Sequence, residues 1–145
     1  MRIKGADQVI SNLRRFGADA DREVRRVVAT TTHRVRSRAV REIQRAPATG
    51  RVYEKYTPNR THQASAPGEP PATDTGALAS SISAIFDNPK QARVGTPLTY
   101  GAHLEFGTTR MDARPWLWPS LQAVLPDHER RINQIFNRAV KGIIE

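Results

Sequence analysis

The chain has 145 residues, no cysteine and a formal net charge of +9. A chain of this length is one domain by the usual prior and buries roughly 68–70% of its unfolded surface without covalent staples. The lack of cysteine excludes disulfides and thiolate metal sites.

No apolar run reaches the roughly 18 residues that a membrane-spanning helix needs, so no membrane association is expected. Residues 1–13 lack the apolar core and small-residue cleavage site of a secretory signal, so synthesis in the cytoplasm is expected. The charge is uneven. Residues 1–60 hold 15 Lys/Arg and 6 Asp/Glu, a balance of +9, whereas 61–145 hold 8 and 8. A basic surface attracts polyanions or acidic protein faces and does not by itself name nucleic acid.

Taken in order, residues 5–16 predict a short helix, with Val9, Ile10, Leu13 and Phe16 on one face and Gly17 as its stop. Residues 19–46 predict a long helix. Val24, Val28, Thr31, Val35, Ala39 and Ile43 recur every three or four positions and form a narrow apolar stripe. Arg25, Arg26, Arg34, Arg36, Arg38, Arg41 and Arg45 fill much of the remainder. Arginine suits bidentate contacts to carboxylate or phosphate. The same face also reads as solvated, with long stems covering apolar surface. Three partners therefore stay open for it: water, an acidic protein face, or DNA.

Pro47 ends that helix. Residues 47–75 show no periodicity and carry five of the ten prolines, which predicts a long flexible loop. Loops of this length are functional or disordered more often than not. Arg51, Tyr53, Lys55, Tyr56 and Arg60 interleave cations with aromatic rings. That composition suits either gripping a nucleic-acid backbone while stacking on bases, or an arm that orders against a neighbouring subunit. Asn59-Arg60-Thr61 is formally a glycosylation sequon, but has no meaning without a secretory route.

From Leu78 to Phe86 the pattern suggests a strand buried on both sides or twisting. Asp87-Asn88-Pro89-Lys90 is a turn, and Ala92, Val94 and Thr96 suit the return strand of an antiparallel hairpin. Residues 100–106 fit either helical turns or a third strand. A sheet this small leaves edges open to strand addition by a neighbour. From about Pro115 or Asp127 the chain reads as helical again: Leu121, Val124, Leu125, Ile132, Ile135, Phe136, Ala139, Val140 and Ile143 keep helical spacing, with a kink or break expected at Pro126. The sum is an α+β domain: short helix, long helix, Pro-rich loop, small antiparallel hairpin sheet and C-terminal helix.

The stretch 100–121, YGAHLEFGTTRMDARPWLWPSL, organises this chain. Tyr100, Leu104 and Phe106 surround one acid, Glu105. Gly107 breaks the run, and Thr108-Thr109 are placed to cap the next element. Trp116 and Trp118, the only tryptophans, lie between Pro115 and Pro119. Pro119 suits the first turn of a helix. The cluster is either a hydrophobic turn that packs the core or an anchor feeding the C-terminal helix. Glu105 either caps a helix or pairs with an arginine such as Arg110 or Arg114.

The ordered residues Thr75, Gly76, Leu78, Ser81 and Ile82, then Tyr100, Glu105, Phe106, Gly107, Thr108, Met111, Ala113, Pro115, Leu117, Pro119 and Leu121, resemble a family of tailed-phage tail components. That family is typified by gene product 10 of phage HK-97, also described as neck or tail-completion proteins. The Pro-rich SAPGEPP lead-in at 65–71 fits it as well, and the resemblance spans roughly residues 5–140. Two positions depart from the pattern: Gly101, where Ala is commoner, and Trp116, where Phe is commoner.

The resemblance implies a structural virion protein of the head–tail junction, made in the host cytoplasm. It implies a ring, of six subunits, between head-completion or stopper proteins and the tail terminator or tail tube, around a channel that passes double-stranded DNA. Arg51, Tyr53, Lys55, Tyr56, Arg60, Glu105, Phe106, Trp116 and Trp118 would then serve subunit or partner contacts.

No catalytic, cofactor or metal site is expected. His103-x-Glu105 has the spacing of zinc deaminases, which also need cysteines. No HExxH, P-loop or GxGxxG occurs, and His33, His62, His103 and His128 are scattered. The rival reading is a basic nucleic-acid-binding protein that uses the arginine helix 19–46.

Overall fold

The computed structural model describes residues 6–56 and 59–144. Its elements are α1 (Ala6–Gln44), β1 (Val52–Tyr56), β2 (Asn59–Gln63), α2 (Ala77–Ser81), β3 (Ser83–Asn88), β4 (Gln91–Gly95), α3 (Thr99–Phe106) and α4 (Trp118–Ile144). Helices and two small antiparallel sheets make this an α+β fold. Gly5, Pro58 and the side chain of Ile143, all used in the sequence reading, lie outside the described parts.

Where two helices were expected, α1 runs unbroken for 39 residues. Gly17 does not stop it. Glycine inside a helix costs only about 0.5–1 kcal/mol relative to alanine, and the helix formers Ala18 and Ala20 follow it. The pairs Arg22–Asp19 and Arg25–Asp21 (2.6 Å) brace the next turns. The helix ends at Gln44, three residues before Pro47. Of the predicted stripe, Val35, Ala39 and Ile43 are buried, together with Val27, which the stripe left out. Thr32 is buried by turning its hydroxyl back to the carbonyl of Val28, at 2.7 Å.

α4 packs antiparallel along α1. The register is set by Arg34 with Asp127, the Thr31 hydroxyl with Nδ1 of His128 (2.9 Å), and Arg138 with Glu23 (3.8 Å). Val27, Val124 and Ile135 are buried along this seam. Of the kink or break expected at Pro126, the break does not occur. α4 continues through it, and both Pro126 and Gln122, whose carbonyl loses its partner, are exposed to water. On this register α4 ends beside the region of Gly17. About eleven residues of α1, roughly 16 Å at 1.5 Å per residue, therefore overhang the helix pair.

The β3–β4 hairpin lies across α1, with Ser83 opposite Gly95 and Ile85 opposite Arg93. Its turn reaches Asp21 through Lys90. Leu78–Ser81, expected as strand, is instead part of the short helix α2. It places Leu78, Ala79 and Ile82 against Ala39, Ile43 and Trp116 in the main core. Residues 100–106, open between helix and strand, are helical and belong to α3.

The expected structureless loop 47–75 holds a second hairpin. β1 and β2 pair from Val52 opposite Gln63 to Tyr56 opposite Asn59. At its base Gly50 and Ala64 exchange bonds with their opposite residues: Gly50 N–H donates to the Ala64 carbonyl (2.8 Å) and Ala64 N–H to Arg51 (3.0 Å).

Candidate functional site

The stretch 99–121 forms a closed structural unit. Glu105 is buried on α3 and faces the start of α4. Its Oε2 accepts the N–H groups of Trp116 and Leu117, and its Oε1 that of Trp118, each at 2.8 Å. One carboxylate thus satisfies two donors that the helix start leaves without partners, on Leu117 and Trp118, together with that of Trp116 just before it, and it adds negative charge at the positive end of the helix dipole. Of the two roles open for Glu105, capping is the one found.

Trp116 is 3% exposed, and its indole N–H donates to the Gly101 carbonyl at 3.1 Å. Gly101 allows this approach: a Cβ there would sit 2.4 Å from the Thr96 methyl. That methyl is not free to move, because the Thr96 hydroxyl meets Ser81 (2.6 Å) and accepts Leu98 N–H (3.1 Å). Gly107, at φ 75 and ψ −177, takes a conformation essentially confined to glycine. Thr108 does not cap a helix; it pairs with Met111 in an isolated β-bridge.

Two aromatic residues of this unit stand well out into solvent. Phe106 is 82% exposed and Trp118 55%. Among the residues expected at contacts, Glu105 and Trp116 are therefore internal supports, whereas Phe106 and Trp118 are on the surface.

The β1–β2 hairpin has no extensive packing against another element. Asp74 ties it down: Lys55, Arg60 and His62 (3.8 Å) all converge on that one carboxylate. The Lys55 ammonium, bonded to it, holds the Asp74 carboxyl below the ordinary carboxylate range. Lys55 and Arg60 are consequently engaged within the chain. Arg51 lies over the Tyr53 ring at 5.5 Å, while Tyr53 and Tyr56 stay exposed.

The seven arginines singled out on the long helix divide. Arg25 pairs with Asp21, which also holds Lys90. Arg36 donates Nε to the Ile82 carbonyl at 2.8 Å and pins α1 to the strand start. Arg45 lies just past the helix end. Arg26, Arg34, Arg38 and Arg41 share the side of α1 that borders α4, where two shallow depressions of about 450 and 340 Å³ succeed each other along the seam.

The sequence reading missed the other half of this surface, which is Arg130, Arg131 and Arg138 of α4. Asp127 organises the middle: Arg34, Arg130 and Arg131 (2.9 Å) all reach it. The bonded Arg34 guanidinium is the main reason its carboxyl is held below the usual range. Only the antiparallel register of α1 and α4 joins the two groups of arginines, and no local spacing carries it.

Apolar side chains are exposed elsewhere. Val9, Ile10 and Leu13 lie on the α1 overhang, and Leu125, Phe136 and Val140 on α4. Among the described residues no group of three or more His, Asp or Glu side chains is placed to hold a metal ion. No helix among them is long and apolar enough to cross a membrane. No model of a known family, no curated protein and no solved structure matches the chain.

Proposed function

We propose that this chain is a structural subunit of the head–tail junction of a long-tailed bacteriophage. It would assemble as a ring, of six copies, between head-completion or stopper proteins and the tail terminator or tail tube. The observation that carries this reading is the α1 overhang. It leaves Val9, Ile10 and Leu13 at 57%, 47% and 43% exposure, uncovered by any of the described residues. Contiguous exposed apolar surface marks a site of protein association. The ordered 75–121 residues supply the family to which such a subunit would belong.

The shape suits head-to-tail assembly. The overhang, the outer face of α4 and the β1–β2 hairpin offer different surfaces, and contacts between unlike patches build a ring when the rotation from copy to copy closes. The two-stranded sheets keep free edges for strand addition. The reading assigns no catalytic step and no cofactor. Electron microscopy of tailed particles carrying a gold-labelled tag on this chain tests the location: label at the neck supports it, and label on the head shell, the tail tip or free protein alone overturns it.

A further inference from the structure

We infer that the seam between α1 and α4 binds the phosphate backbone of double-stranded DNA without reading its sequence. Arg26, Arg34, Arg38 and Arg41 line one side and Arg130, Arg131 and Arg138 the other. Three carboxylates answer them: Glu23, Asp127 and Glu42. Seven cations against three anions leave four charges uncompensated on this face. Arg26 and Arg41 have no acidic partner among the described residues. Nε of Arg38 is buried with no hydrogen-bond acceptor, although its outer nitrogen meets Glu42 at 3.2 Å. Arg26 and Arg41 are therefore exposed donors still in need of an acceptor, whereas the Arg38 Nε is out of a ligand's reach.

The chemistry of the lining selects the ligand. Arginine meets phosphate oxygens bidentately. The positions from 26 to 41 extend about 22 Å along the helix axis, a length over which a duplex presents on the order of a dozen phosphates. Single strands are gripped with the help of aromatic rings that stack on bases, and no Phe, Tyr or Trp lines either depression. Protein partners need an apolar centre, with charge kept to the edge. Here Val27, Val124 and Ile135 at the floor are already buried, and none of the large exposed apolar side chains lines either arginine-lined depression; the exposed Leu125 borders the opposite side of the helix pair. A polyphosphate backbone needs no such centre. This binding also needs no ring, so it and the junction assignment fail independently.

The test is fluorescence anisotropy of the full chain with a labelled 20-base-pair duplex of arbitrary sequence, between about 50 and 200 mM salt. The affinity is expected to fall with salt along a log–log slope of roughly −4, as four released counterions require. It should be indifferent to sequence and weaker for either single strand. Arg26→Glu with Arg41→Glu alters two exposed side chains that the fold does not use. The exchange leaves five cations against five anions, so it should weaken binding about tenfold or more and bring the slope close to zero. Glu42→Gln, which removes an anion from the same face, should strengthen binding.

The control Arg51→Glu with Arg110→Glu makes the same change in net charge away from the seam and should have little effect. The inference is overturned by any of three results: no duplex binding at 50 mM salt, a control pair that weakens binding as much as the seam pair, or binding of poly-glutamate as tight as that of the duplex.

Discussion

Glu105 and Trp118 are joined across the turn between α3 and α4: Oε1 of the acid accepts the tryptophan N–H at 2.8 Å, while Oε2 takes the N–H groups of the two residues before it. The end of the longest inter-element turn in the C-terminal half is thereby held to α3, with the Trp116 indole N–H on the Gly101 carbonyl as a second tie. Glu105→Ala should cost roughly 3 kcal/mol or more, since each buried donor left unsatisfied costs about 1–3 kcal/mol. Glu105→Gln keeps one acceptor and should lose less. Trp116→Ala should cost roughly 3–5 kcal/mol as a buried ring is lost. Urea unfolding monitored by circular dichroism measures all three. Equal stability of Glu105→Ala and the natural chain would remove the capping role.

A second prediction concerns close packing. Gly101→Ala would push a methyl to 2.4 Å from the Thr96 Cγ2. Overpacking of this kind costs about 1–3 kcal/mol. Thr96→Ser removes that methyl and keeps the hydroxyl bonded to Ser81 and Leu98. The double variant Gly101→Ala, Thr96→Ser should therefore recover most of the loss. Additive destabilisation in a double-mutant cycle would show that the clash lies elsewhere.

Much of this architecture was legible in the sequence, and the misses have physical causes. The long helix is signalled by Val35, Ala39 and Ile43 recurring on one face, and the C-terminal helix by Val124 and Ile135. Gly17 misleads because a single glycine is a weak stop when alanines and ion pairs surround it. The β1–β2 hairpin escapes notice because nearly all of Val52–Tyr56 is exposed on both faces, so no apolar alternation marks it. Leu78–Ser81 is too short for a period of two to be told from one of 3.6. Glu105 stands out in the sequence as a structural acid. Its three partners, 11 to 13 residues away, depend on how α3 folds back. The pairing of α1 arginines with those of α4 is a tertiary fact, and only the fold brings it about.

A third prediction is acid sensitivity. Asp21, Asp74 and Asp127 are held below their ordinary value of 3.8, chiefly by Lys90, Lys55 and Arg34 respectively. Glu69 is held below 4.5, chiefly by the Thr49 hydroxyl. A carboxylate with a depressed folded pKa contributes stability above its unfolded pKa, and that contribution is lost as pH falls through the folded value. Stability should therefore be level near neutrality and decline below about pH 4. Asp74→Asn should start lower at neutral pH and decline less. A variant whose acid limb matches that of the natural chain would contradict this.

A fourth prediction separates arm from body. Replacing residues 53–62 by Asn-Gly should close the hairpin at its base, because Arg51 and Ala64 already pair there. The melting temperature should change by only a few degrees, while particle assembly is lost. Trp118→Ala and Phe106→Ala, at exposed positions, should likewise spare the fold and weaken assembly. Unfolding of the shortened chain would make the hairpin part of the core, and fully infectious particles would remove its contact role.

The central claim is a ring at the head–tail junction, and an averaged cryo-electron microscopy map of the neck tests it most directly. Particles assembled with this chain should show six copies around the DNA channel, with the α1 overhang of each copy seated on its neighbour. A single copy there, a two-fold dimer, or density in which residues 6–16 of every copy face solvent would contradict the account.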